Sequence, residues 1–306
     1  MGVLPAIAVL THEHDDFEHA PYLLRHVAAW WRAEGGRFDV VRGLGRGVSP
    51  RDYDAAIQHV DLTRIPDDYV GFASEFRRVV NGRVRDISKR AVSAHQVRPG
   101  DGYAGPVIVK TNLNCGGLKE AQLAKRSFAR RVAWALRRRL PWTLRPELGG
   151  KGYRVFDSAA DVPWPVWRNP ALIVERFAPE FREGLYWVRN WLFLGGRDIL
   201  QVVSATAPIV ARPHITGWRF VPPDIPVEVR AHVRSLGVEF AKADFTVRPD
   251  GAVLFDINRT PTHRMLSDAD RRTVGKRLGQ ALARLVDGEA APPGPVQSGS
   301  SMAMRR

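Results

Sequence analysis

A chain of 306 residues is long enough for two domains or one composite α/β unit, and its 44% hydrophobic content is that of a globular protein. No apolar run approaches the roughly 18 residues that a membrane-spanning helix needs, and a single cysteine, Cys115, excludes an intrachain disulfide and points to a reducing, cytoplasmic setting. The net charge of +14 favours anionic partners: nucleotide phosphates, nucleic acid or an acidic substrate.

The chain opens with an apolar run, Val3 to Leu10, expected to be a buried strand and not a signal peptide. Helical spacing of Leu23, Leu24, Val27, Ala28 and Trp31 predicts a helix over 21–32, stopped by Gly35-Gly36. Phe38 to Val41 is a second strand, and this β-α-β opening implies a parallel sheet. A third strand is expected over 54–61 and a helix over 67–76, closing a first domain at 1–85. Val107 to Lys110 is a strand, 118–140 a long basic helical region, and 153–156 and 172–177 further strands. A hairpin over 186–204 turns at Gly195-Gly196. A helix is expected over 226–236 and an amphipathic one over 267–286, followed by a Pro-, Gly- and Ser-rich tail, 287–306, expected to be disordered.

Four stretches carry chemistry. The run Asp244-Phe-Thr-Val-Arg-Pro-Asp-Gly-Ala-Val-Leu-Phe-Asp256-Ile-Asn258 reads as two strands joined by Pro249-Asp250-Gly251. Alternation puts Asp256 and Asn258 on one face, and Asp244 can fold toward them, giving an all-oxygen set that suits Mg²⁺ or Mn²⁺. Strand 107–110 delivers Lys110 to a loop containing Asn114, Gly116 and Gly117; a lysine neutralises phosphate, and glycines let backbone N–H groups approach its oxygens. No G-x(4)-G-K-[ST] occurs, so this is not a P-loop. Gly149-Gly150-Lys151-Gly152 is a second glycine cluster that could cover phosphates. The strand ending in Glu175-Arg176-Phe177 runs from apolar residues into an acid and an aromatic, and Lys89 opens a short helix earlier in the chain.

Taken in chain order, Lys89, Lys110 with its glycines, Glu175-Arg176-Phe177 and the Asp244 to Asn258 hairpin resemble the ATP-grasp superfamily, glutathione synthetase-like and carboxylate–amine ligase-like, over roughly residues 80–285. The second metal acid of that family is usually Glu, and here it is Asp256. The resemblance implies an α/β composite fold: an N-terminal β-α-β parallel-sheet domain, then a central and lid subdomain (86–175) with a basic insertion (118–152), then a C-terminal subdomain (176–286). ATP would lie between two sheets. The resemblance further implies that Lys89 and Lys110 bind phosphates and that Asn114, Gly116 and Gly117 cover them. Glu175, Arg176 and Phe177 would flank the adenine, Glu180 or Glu183 would reach the ribose, and Asp244, Asp256 and Asn258 would hold Mg²⁺. Arg189, Arg212 and Arg259 are candidates to clamp the transferred phosphate, with the rim continuing through His263 and Arg264.

The activity this implies is an ATP-dependent ligase joining a carboxylate to an amine or thiol through an acyl phosphate. A small-molecule kinase or a nucleotide-binding protein on the same fold is the alternative. The expected partner is a small molecule or peptide bearing a carboxylate, with no membrane, and oligomeric state is left open. Between Lys119 and Lys151 roughly ten basic residues face two acids, with Trp134 and Trp142 among them, so nucleic-acid binding is a third reading, unsupported by any motif. The same excess of arginine is what a high-GC bacterial genome produces. Thr11-His12-Glu13-His14-Asp15-Asp16 is similar to the T-H-x-H-x-D-H signature of metallo-β-lactamase-like hydrolases but has Phe17 where the last histidine belongs. Its place after the first strand suits a ligand-facing loop instead.

Overall fold

The computed structural model describes residues 4–124, 128–137, 139–145, 148, 152–262 and 266–288. The tail over 289–306, the glycines at 149 and 150 with Lys151, and His263 with Arg264 lie outside the described residues.

Three sheets carry the fold. The first is parallel: β1 (Ile7–Thr11), β2 (Phe38–Arg42), β3 (Ala55–Gln58) and β4 (Val79–Val80), in the order β2-β1-β3-β4. β1 and β3 are buried at every residue, as expected of central parallel strands. The crossovers are α1 (Leu24–Ala33) and α2 (Asp67–Ser74), both shorter than the sequence periodicity predicts. A short α3 (Lys89–Val92) leads to the second sheet.

That second sheet is antiparallel, β6-β5-β7, from β5 (Val107–Thr111), β6 (Arg154–Phe156) and β7 (Leu172–Arg176). Between β5 and β6 the expected long helix is two, α4 (Leu118–Ala124) and α5 (Phe128–Arg137). Helix α6 (Trp164–Arg168) precedes β7 and was not foreseen, because Pro165 and two tryptophans within five residues give no helical periodicity. Pro at the first helical turn costs nothing, since that N–H has no partner in any case.

The third sheet has the order β11-β10-β9-β12-β13, with β8 (Glu180–Arg182) also on β9. Its strands are β9 (Leu185–Leu194), β10 (Arg197–Ala205), β11 (Ile215–Val221), β12 (Phe240–Arg248) and β13 (Gly251–Asn258). All pair antiparallel. α7 (Val227–Ser235) packs on one face through Val229 and Val233.

α8 (Asp268–Val286) is the brace between the first and third sheets. Its Ser267 cap and Asp270 form a reciprocal capping box. Val274, Leu278 and Leu282 share one core with Leu24, Val27 and Trp31 of α1 and with Leu194, Ile199 and Phe240 of the third sheet. The two helices touch because Gly275 and Gly279 leave room. A Cβ at 279 would sit 2.0 Å from the Trp30 ring, and one at 275 would sit 2.6 Å from the His26 carbonyl oxygen.

Candidate functional site

The second and third sheets enclose a cleft of about 300 Å³. One wall carries Ile108, Lys110, Tyr153 and Arg176; the other carries Asn190, Lys242, Asp244 and Asp256. Strand alternation explains the choice of residues. On β12, Lys242, Asp244 and Thr246 are two apart and all three line the cleft.

Asp244 and Asp256 face each other across β12 and β13, and a bulge directly after Asp244 shifts the register. Bulges of this kind re-aim side chains at strand edges. Asp244 accepts from Asn190 Nδ2 at 2.8 Å, and Lys242 Nζ lies 3.0 and 3.1 Å from its two oxygens. Asp256 Oδ1 is buried, has no hydrogen-bond donor and lies 3.5 Å from Lys89 Nζ. Asn258 is turned to local use: its Oδ1 accepts from the Thr260 N–H at 2.9 Å and lies 3.1 Å from the Thr260 hydroxyl oxygen. Among the described residues no three His, Cys, Asp or Glu side chains gather as a metal cage. The two carboxylates fit a cation that phosphates and water complete, and the donor-less Asp256 oxygen is the group that most needs one, whereas the Asn258 amide does not join them in the cleft.

Lys110 Nζ lies 2.6 Å from Glu175 Oε2 on the neighbouring strand and 5.1 Å from the Phe255 ring centroid. Glu175 sits behind Lys110 and does not line the cleft. Lys89 is 2% exposed and also donates to the Leu113 carbonyl at 3.2 Å. Burial alone would lower the Lys89 pKa, but nearby acidic groups, Asp256 first and then Tyr153, Glu175 and Cys115, together more than offset it and the net shift is upward. Lys242 behaves likewise: burial opposes its charge, Asp244 restores it, and the pKa is raised. Burial pushes the Tyr153 phenol up to about 12. Lys89 and Lys242 are therefore ammonium at neutral pH, and each can be drawn from its carboxylate to a phosphate.

The Asn114–Gly117 turn follows β5. Cys115, Gly116 and Gly117 all have positive φ (46°, 67° and 79°), a run that only a glycine-rich segment tolerates. Asn114 accepts from the Cys115 N–H at 2.9 Å through its own Oδ1, and Leu113 receives Lys89, so this loop abuts the lysine–carboxylate cluster.

Lys89, Lys110, Arg176, Phe177, Asp244 and Asp256 thus come together in one cleft. Other sequence candidates do not join them. Arg259 has no exposure; its guanidinium donates to the carbonyls of Val60, Val84, Leu62 and Thr63 and so ties β13 to the first sheet. Arg189 is bound bidentately to Glu180 at 2.7 and 3.2 Å, and Glu180 also accepts from the Val247 N–H. That pair engages both a candidate clamp and a candidate ribose ligand. Glu183 stands in the left-handed region (φ 55°) at the β8–β9 turn, its side chain in solvent. Arg212 is exposed in a short turn beyond the cleft residues Pro208 to Val210.

Lys242 and Asn190 belong to the site and were not anticipated. Lys242 had a signal, since it lies two residues before Asp244 on the same strand face. Asn190 had none, because its strand neighbour is set by long-range pairing, Asp244 opposite Asn190.

No family model and no curated protein matches the sequence. Solved structures do match in fold. One is the RimK domain protein ATP-grasp from Sphaerobacter thermophilus, 14% identical with a TM-score of 0.47 over 90% of this chain and 99% of that one. Another is D-alanine–D-alanine ligase from Bacillus anthracis, 10% identical with a TM-score of 0.43 over 94% and 100%. A third is the ATP-grasp ligase PsnB complexed with minimal precursor, 12% identical with a TM-score of 0.48 over 93% and 99%. In fold, the chain is similar to ATP-grasp ligases.

Proposed function

We propose that the chain is an ATP-grasp ligase that joins a carboxylate to an amine, or to a thiol, by way of an acyl phosphate. The observation that carries this reading is the convergence of Lys89, Lys110 and Lys242 with Asp244 and Asp256 in one cleft between two antiparallel sheets. Such a set neutralises a triphosphate and places a cation against it. Mg²⁺, held by Asp256 and Asp244, would neutralise charge on the transferred phosphoryl group.

The chain's own residues do the rest. Lys110 and Lys89 leave their carboxylates for the phosphate oxygens. The apolar stretch Phe177 to Pro179, at the end of β7, gives the base a dry wall. A substrate carboxylate oxygen attacks the γ-phosphorus, the bond to the β-bridging oxygen breaks and ADP leaves. The amine lone pair then attacks the acyl carbon, the C–O bond to phosphate breaks, and inorganic phosphate departs carrying the proton that the nitrogen gives up. Positioning and charge neutralisation supply the rate, and no enzyme nucleophile is needed.

Two measurements test the reading. A fluorescent ATP analogue with Mg²⁺ binds the parent and loses at least about tenfold affinity in Lys110→Ala and in Asp256→Ala, the loss of one charge-assisted contact. Unchanged binding in both variants removes the assignment. Incubation with ATP and candidate carboxylates and amines then yields an amide with ADP and phosphate; a phosphorylated acceptor identifies a kinase instead.

A further inference from the structure

A second cavity, of about 80 Å³, opens at the carboxyl ends of β1 and β3. Loops at this end of a parallel sheet are where α/β folds hold ligands. His12, His14 and Asp15 line it from the β1 loop, Asp61 from the segment after β3, and Lys119 from α4.

The charges of this cavity do not balance. The Tyr22 hydroxyl lies 2.7 Å from Asp15 Oδ2 and 2.8 Å from Asp61 Oδ2. A phenol has one proton and satisfies one of them. Asp61 is served otherwise, by the Thr260 hydroxyl at 2.6 Å and by Lys119 Nζ at 3.1 Å. Asp15 has Tyr22 alone. It is 9% exposed, and its Oδ1 is buried with no hydrogen-bond donor. Leaving such an oxygen unpaired is costly, because its lost hydration is not replaced. Two carboxylates therefore share one ammonium and one phenol proton, and the cluster is short by one cationic donor.

The cavity is coupled to the nucleotide cleft. Thr260, which donates to Asp61, also contacts Asn258 Oδ1, and Asn258 stands opposite Lys242 on the paired strand. We infer that this cavity binds the primary ammonium group of the acceptor substrate, with Asp15 as its principal partner and Asp61 and Tyr22 beside it. The inference rests on the ligase reading and names the class of its acceptor, a small compound with an –NH₃⁺ head. A quaternary ammonium has no N–H to offer Asp15, and an uncharged alcohol does not correct the charge deficit.

Burial raises the Asp15 pKa, as it must for a carboxylate without its cation. An arriving ammonium reverses that penalty, which is the source of its affinity.

The test uses the full chain and propylammonium, followed by saturation-transfer NMR, with propanol and tetramethylammonium as controls. Propylammonium gives transfer and the controls give little. Asp15→Asn weakens it about tenfold or more, the loss of a charge-assisted hydrogen bond. Lys119→Met, which removes the competing ammonium from a partly exposed position, strengthens it. That sign is opposite to what a damaged fold would give. Equal signals from propylammonium and propanol, unaltered binding in Asp15→Asn, or weaker binding in Lys119→Met would each overturn the inference. The fluorescent ATP analogue is titrated in parallel and keeps its parent affinity in both variants. A parent that binds propylammonium but no ATP analogue defeats the ligase reading, whereas one that binds the analogue but not propylammonium defeats the ammonium site.

Discussion

In the cleft between the antiparallel sheets each lysine has its own carboxylate: Lys110 with Glu175, Lys242 with Asp244, and Lys89 with Asp256. In the cavity at the end of the parallel sheet, Lys119 pairs with Asp61 and donates to the Tyr22 hydroxyl, and Asp15 has no lysine of its own. The difference teaches what each site awaits. On the proposed reading, the paired lysines are held in place until a polyanion takes them over. A surplus carboxylate asks for a cation. Arg259 lies between the two regions, and the largest expected effect concerns it. Arg259→Met removes the donor from carbonyls of Val60, Leu62, Thr63 and Val84, all in buried surroundings. At about 1–3 kcal/mol for each unsatisfied group, the cost is about 5 kcal/mol, read as a fall in the urea midpoint. A variant of parent stability and lost activity would return Arg259 to a catalytic role.

The next effect sets the two lysine environments against each other. Lys110→Met strands Glu175, whose side chain is 4% exposed, and should cost about 3–5 kcal/mol, as for any buried pair that loses one partner. Lys119→Met acts on a side chain 34% exposed and should cost below about 1 kcal/mol. Urea unfolding of both variants checks the contrast, and equal costs would erase it.

Much of this layout could be read from residue order. The Asp244-to-Asn258 hairpin, the strand ending in Lys110 and the run into Glu175 each combine a local turn or strand signal with a polar group at its end, and local signals survive without tertiary knowledge. What escaped reading was set by pairing between distant strands. Arg259 follows Asn258 directly and so suggested a rim arginine, yet its guanidinium turns into the seam with the first sheet. Arg189 was open to the same misjudgement, because nothing near it in sequence announces the buried bidentate partner Glu180. β11 and β8 went unread because both are short and rich in Arg, Gly and aromatics without alternation.

His59 sharpens the comparison on the N-terminal side. It is fully buried beside the Asp15–Asp61 cluster, with Tyr22 at 4.6 Å and Phe17 at 5.5 Å between ring centroids. Burial pushes its pKa down from 6.5 to about 4. The folded state thus refuses a proton that the unfolded chain accepts below pH 6.5. Stability is complete above that pH and is lost as pH falls toward 4, by about 3 kcal/mol for one group. Urea midpoints at pH 7 and pH 4.5 measure the loss. His59→Phe, which keeps a ring in the aromatic contact, should flatten that part of the profile; an unchanged slope would assign it to other groups.

The smallest expected effect lies outside both sites. Phe128, Val132 and Leu136 recur at four-residue intervals on α5 and are 73%, 43% and 58% exposed. Residues at that spacing form one stripe along a helix. A stripe so open to water buries little area, and at about 25 cal/mol per Å² it contributes little to folding. Phe128→Ser and Leu136→Ser should therefore shift the urea midpoint by the equivalent of at most about 0.5 kcal/mol, the usual range for surface changes. The same substitutions should leave both the ATP-analogue and the propylammonium titrations unaltered, since neither residue lines either cavity. A larger loss of stability would mean that α5 packs against the body of the protein. A loss of nucleotide affinity at parent stability would mean that α5 closes over the cleft once ATP is bound, because only α4 separates it in sequence from the glycine turn that ends at Gly117.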